Sequence, residues 1–182
     1  TAPIVDISYD NNSSVNGTYF KENRTATIIV TERNFDETSI ATEITNEHGS
    51  IPTISDWTTI AGTAENGDDT KHVATISFHA DGDYTVAVTM SADKAANVPS
   101  KIAFADGTVD GEQFTIDKTQ PVISVDYSNN TMIGDEYFDA GRTATITVKE
   151  HDFDASKVNI QTTGLYSGAA IVTPQINWTQ NG

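Results

Sequence analysis

Residues 25–32 read Thr25-Ala26-Thr27-Ile28-Ile29-Val30-Thr31-Glu32, and this stretch decides the fold. Successive side chains of a strand point to opposite faces, so Ala26, Ile28 and Val30 share one side while Thr25, Thr27 and Thr31 share the other. Most of these residues are β-branched, which suits a pleated, half-buried surface better than a helix. The stretch reads as a strand with one face in a core.

The same stretch returns later. Shifted by 118 residues, 1–45 aligns with 119–163 without a gap, and 17 of the 45 positions are identical, far above chance. Shared positions include Pro3 and Pro121, Tyr9 and Tyr127, and Tyr19-Phe20 with Tyr137-Phe138. The run 24–28 matches 142–146, Phe35-Asp36 matches Phe153-Asp154, and Trp57 matches Trp178 after a three-residue shift. The chain therefore divides into one repeat over 1–118 and the first half of another over 119–182. The second copy is expected to be cut short, rather than completed by strands from elsewhere, and the chain to begin inside something longer.

Outward from 25–32, the alternation places Ala74, Ile76 and Phe78 together in 72–78, and Tyr84, Val86, Val88 and Met90 together in 84–90. Shorter strands are expected at 4–8, 40–45, 56–60 and 113–117. Asn16-Gly17, Asn66-Gly67, Asp81-Gly82 and Asp106-Gly107 mark turns, since glycine accepts the positive φ that such turns use. No amphipathic window supports a helix of more than about two turns. Short strands separated by turns predict an all-β fold of tandem immunoglobulin-like β-sandwiches, the second incomplete.

Bulk chemistry narrows function. The 182 residues carry 26 acidic and 10 basic side chains, a formal net charge of -16 spread along the chain. Such a surface repels phosphate backbones and anionic lipid, so neither nucleic acid nor a membrane surface is an expected partner. Cysteine is absent, which excludes disulfides and thiolate chemistry. No apolar run approaches the roughly 20 residues that span a bilayer.

The segment Asp81-Gly82-Asp83-Tyr84-Thr85-Val86-Ala87-Val88 resembles the turn and strand of bacterial immunoglobulin-like domains, in which a tyrosine just after a tight turn locks the E-to-F corner. The segment 91–97 resembles the F-to-G loop of those domains, with Ala96 where glycine is common. The passage from Phe114-Thr115-Ile116-Asp117 into Lys118-Thr119-Gln120-Pro121 is similar to the junction between repeats of large Gram-positive wall-anchored proteins, notably of gut species. The resemblance implies export and display at the bacterial cell surface or wall. It implies a non-catalytic module acting as an adhesin stalk or binding a host protein or glycan, with neighbouring repeats of the same chain as further partners. Capture of host immunoglobulin as a B-cell superantigen and service as an accessory domain of a secreted glycosidase are the alternatives.

Residue chemistry agrees with a non-enzyme. His72 and His79 are an odd number of residues apart along one strand, so they face opposite ways, and no nucleophile, zinc or phosphate-loop motif accompanies His48 or His151. One metal hypothesis stands out. Asp81, Asp83 and Asp117 of the first copy and Asp152 and Asp154 of the second lie in segments expected near the junction of repeats, where calcium would find hard oxygen ligands; the plainer reading is that aspartate simply favours turns. Trp57 and Trp178 either stack on sugars or fill the core, and the core is favoured. Packing is also favoured for the Tyr-Phe pairs. A Lys-to-Asn isopeptide crosslink is not expected, because the last strand offers no asparagine.

Overall fold

The strand over 25–32 forms as expected, at Arg24–Thr31, in the computed structural model that describes residues 1–104, 112–135, 137–163 and 175–180. The described residues are all-β apart from two single 3-10 turns, and the chain divides into two units, Thr1–Thr119 and Gln120–Gly182.

In the first unit the strands are β1 (Ile4–Tyr9), β2 (Tyr19–Phe20), β3 (Arg24–Thr31), β4 (Ile40–Asn46), β5 (Thr58–Ile60), β6 (Lys71–Phe78), β7 (Gly82–Met90), β8 (Lys101–Phe104) and β9 (Glu112–Ile116). They form two sheets with the orders β5-β6-β3-β1-β8 and β2-β9-β7-β4. The sheets face each other as a β-sandwich across one core, to which β1, β3 and β6 contribute Val5, Ile7, Ile28, Val30, Ile76 and Phe78, and β7 and β9 contribute Tyr84, Val86, Val88, Phe114 and Ile116. Register explains the fit: Ala26 lies opposite Ile76 and Ile28 opposite Ala74, so small and large side chains alternate across the β3–β6 pair. Each fully buried aliphatic or aromatic side chain contributes about 1.5–3 kcal/mol relative to exposure.

The inward row of β3 starts with a charge, Arg24, and the residue just past the strand, Glu32, carries another. Arg24 and Glu32 are each 2% exposed. The Arg24 guanidinium lies over the rings of Tyr9 (3.9 Å), Phe20 (3.9 Å) and Phe114 (4.4 Å). It also pairs with Glu112 at 3.0 Å and donates through Nε to the Asn11 carbonyl at 2.9 Å. Cation, three π faces and carboxylate together make this buried charge tolerable.

Turn chemistry closes the unit. Gly17, Gly67 and Gly82 have positive φ, as their Asn-Gly and Asp-Gly pairs require; the pair Asp106-Gly107 lies outside the described residues. The Tyr84 hydroxyl donates to the Ala80 carbonyl at 2.9 Å, so the tyrosine pins the corner between β6 and β7. Asp93, buried at the centre of the β7–β8 loop, accepts from the Ala95 and Asn97 amides, both at 2.8 Å. That grip holds Ala96 at φ 62°, a left-handed conformation that glycine adopts without penalty.

In the second unit β10 (Val122–Tyr127) pairs antiparallel with β11 (Ala144–Lys149). Its Arg142 repeats the Arg24 arrangement locally. The guanidinium lies over Tyr127 (4.0 Å) and Phe138 (3.9 Å) and donates to the Asn129 carbonyl at 2.6 Å.

Candidate functional site

Two places in the first unit concentrate polar chemistry, the corner between β6 and β7 and the end of β3. At the corner, Gly82 has φ 152°, and a Cβ there would meet the Asn46 side-chain oxygen at 2.1 Å, so the turn and that asparagine fit each other only with glycine. Burial raises the Tyr84 hydroxyl above its ordinary value, an effect that Asn46 opposes and Asp81 reinforces.

The aspartates predicted as calcium ligands have these places. Asp81 accepts from the Thr119 hydroxyl at 2.6 Å and faces the Lys118 ammonium at 3.8 Å. Asp117 accepts from the Thr119 amide at 3.1 Å. Asp83 accepts instead from the Thr115 hydroxyl at 2.6 Å, and His48 Nε2 is 3.9 Å away. The corner thus brings Asp81 and Asp117 around Lys118 and Thr119, whereas Asp83 is held on β7 by its β9 neighbour. In the second unit Asp154 caps a 3-10 turn, accepting from the amide and hydroxyl of Ser156 at 2.9 and 2.6 Å, contacts that lower its carboxyl below the ordinary value. Asp152 lies 4.0 Å from the His151 ring.

Lys118 is the residue that the sequence reading missed. Its Nζ donates to the His79 carbonyl and, at 2.9 Å, to Asn23 Oδ1. A search for asparagine confined to the last strand overlooks Asn23, which stands in the turn between β2 and β3. The Asn23 side chain is 95 residues from Lys118 in the sequence, so only tertiary structure joins them.

At the end of β3 an aromatic group forms. Phe35 stacks on His72 (centroids 4.3 Å apart) and meets Trp57 edge to face at 4.9 Å. His72 Nε2 lies 3.0 Å from the Glu32 carbonyl and Nδ1 lies 3.0 Å from the Thr59 hydroxyl. Burial lowers the His72 pKa, and the nearby Lys94 charge adds to the effect against the Glu32 contact. Trp57 is half-buried and packed against the core. The expectation of a core tryptophan therefore holds for its contact with Phe35 but not for complete burial, because Trp57 precedes the short edge strand β5. Trp178 repeats the contact with Phe153 at 4.9 Å. The packing expected of the Tyr-Phe pairs is seen at Phe20, which is buried, whereas Tyr137 is exposed.

Among the described residues, one long strand edge has no neighbouring strand. The Ser91 amide donates to the Ser39 carbonyl and the Glu47 amide to the Asp83 carbonyl, so odd-numbered residues of β4 exchange hydrogen bonds with β7. The amides and carbonyls of Thr42 and Ile44 therefore turn outward, and β4 is the last strand of its sheet. Among the described residues no helix is long and apolar enough to cross a membrane. No known protein family, curated protein or solved structure matches the chain.

Proposed function

We propose that the chain belongs to a non-catalytic array of immunoglobulin-like repeats exposed on a bacterial cell surface, where it acts as an adhesin stalk or presents a host-binding surface. The observation that carries this reading is the strand order of the first unit together with its tyrosine corner. Within the five-stranded sheet the run β5-β6-β3-β1, with β8 added at its edge, and within the four-stranded sheet the run β9-β7-β4, with β2 added at its edge, match the D-E-B-A and G-F-C orders of immunoglobulin-like sandwiches, with Tyr84 at the matching corner. Surface display rests on the resemblance of the repeat junction. A stalk requires repeats in series on short connections. Small-angle scattering of a protein with three or more consecutive repeats tests it: a maximum dimension growing linearly with repeat number supports the stalk, and a compact particle refutes it.

The second reading, capture of a host protein such as immunoglobulin, draws support from β4. Its seven residues include one charge and no proline, little of the protection that natural edge strands carry. An extended partner segment would add antiparallel or parallel to this edge. Thr42→Pro removes only an outward amide and leaves the β7 ladder whole. Binding of Fab fragments or mucins by the native chain, abolished by this substitution, would support edge capture; no binding by the native chain would end it.

A further inference from the structure

Past the end of β9 the chain does not leave the first unit at once. The Asp117 amide donates to the Phe20 carbonyl at 3.0 Å, extending the β2–β9 pairing by one step. Lys118 then folds its side chain back across the corner, and Thr119 follows with two hydrogen bonds, to Asp117 and Asp81.

Three oxygens surround the Lys118 ammonium among the described contacts. The His79 carbonyl comes from the end of β6, Asn23 Oδ1 from the turn before β3, and Asp81 Oδ1 from the turn before β7. Three separate segments thus present a backbone carbonyl, a carboxamide oxygen and a carboxylate to one positive charge. This is the donor set that hard divalent cations recruit from loops. Asp81 Oδ1 has almost no exposed surface and no hydrogen bond, and a carboxylate oxygen so enclosed needs a neighbouring charge.

We infer that Lys118 is a built-in cation: its ammonium fastens the exit segment of the first unit to the corner between β6 and β7, and this exit holds without a divalent ion. A tethered ammonium costs no recruitment from solution and is present at any calcium concentration. The side chains of Lys118 and Asp81 are each about one-third exposed, so the pair adds little to global stability. Its effect is local, on the order of 117–119.

An amine, a carboxamide and a carboxyl group standing together also raise the question of a covalent link. In such a link Lys118 Nζ would bond to Asn23 Cγ, the Cγ–Nδ2 bond would break, and ammonia would leave carrying a proton relayed by Asp81. An ammonium has no lone pair to offer, so the ion-paired contact and the covalent link are alternative outcomes for the same three groups. Intact mass distinguishes the two outcomes.

The test uses the whole 182-residue chain, 15N-labelled, in calcium chloride and in EDTA. The heteronuclear NOE of the Lys118 and Thr119 amides is expected to match that of β9 in both buffers, and the intact mass to equal that of the sequence. In Lys118→Met the NOE of these two amides is expected to fall to loop values in EDTA and to recover in part with calcium, while the Tyr84 and Phe114 amide shifts stay in place. Asp81→Asn, which keeps the Thr119 contact but removes the charge, should loosen the segment less. An exit that is ordered in the native chain only with calcium, an unchanged NOE in both variants, or a mass lower by one ammonia would each overturn the inference.

Discussion

Tyr9, Arg24 and Ile28 of the first unit and Tyr127, Arg142 and Ile146 of the second are the same residues in the same order, yet they live in different surroundings. Val5, Ile7 and Tyr9 are 0%, 1% and 7% exposed, whereas their counterparts Ile123, Val125 and Tyr127 are 61%, 49% and 45% exposed. What the copies share is local. The arginine over two rings, the donation to Asn11 or Asn129, the capping aspartate at Asp36 or Asp154 and the Phe-Trp contact all recur with nearly the same geometry. What differs is burial, which in the first unit comes from β6, β7 and β9, strands with no counterpart among the described residues of the second. Half a repeat encodes its own turns, and the facing strands supply the core.

Arginine substitutions are expected to sharpen this contrast most. Arg24→Ala removes a buried guanidinium that pairs with Glu112 and opens space between three rings, at a cost of about 3–5 kcal/mol. Arg142→Ala should cost less than about 0.5 kcal/mol, since the side chain it removes is exposed. Urea unfolding followed by tryptophan fluorescence measures both. Equal effects would mean that the second copy is buried as deeply as the first in solution.

Ile28→Ala and Ile146→Ala probe the same contrast without charge. Ile28 is fully buried in the core cluster, and truncating it should cost about 2–5 kcal/mol including the cavity left behind. Ile146 is only half-buried, and its truncation is expected to leave the thermal midpoint nearly unchanged. A large loss at Ile146 in calorimetry would show that its face is covered in solution.

The outcome also shows what a sequence can reveal. Every strand with clear alternation appears within about two residues of its expected place, because period-two burial is written directly in the residues. β2 and β8, of two and four residues, were missed for want of enough positions to show a period. The corner tyrosine was legible from Asp81-Gly82-Asp83-Tyr84, a local motif, whereas Ala96 stood out only for occupying a place where glycine is common, and its left-handed backbone is seen only in the fold. The setting of Lys118 was not legible, since its partners lie 39 and 95 residues away. The hydrogen bond that Asp83 accepts from Thr115 across the β7–β9 pair was not legible either, because the aspartates were grouped only by their expected position on the sandwich.

Ala96 offers a smaller test, on a loop that belongs to the first unit alone. Ala96→Gly relieves the left-handed strain but gives the unfolded chain more freedom, so the expected net gain is about 0.5 kcal/mol. A rise of the midpoint in urea without a change in slope checks it. A loss would mean that the three donors gripping the Asp93 carboxylate favour a stiffer backbone than glycine allows.

The smallest effect concerns His72, which has no equivalent in the described part of the second unit. Burial disfavours its charged form, so its pKa in the folded state lies below the 6.5 of the free side chain. In the window just below pH 6.5 the unfolded chain therefore binds more protons than the folded one, and stability falls as pH falls. Asp36, Asp69 and Asp93, whose carboxyls are lowered by hydrogen bonds from neighbouring residues, act with the same sign but only below their ordinary value of 3.8. The two ranges separate, and His72→Gln should flatten the melting temperature between pH 7 and 5 while leaving the acid limb intact. A pH slope that survives this substitution would move the titrating group elsewhere.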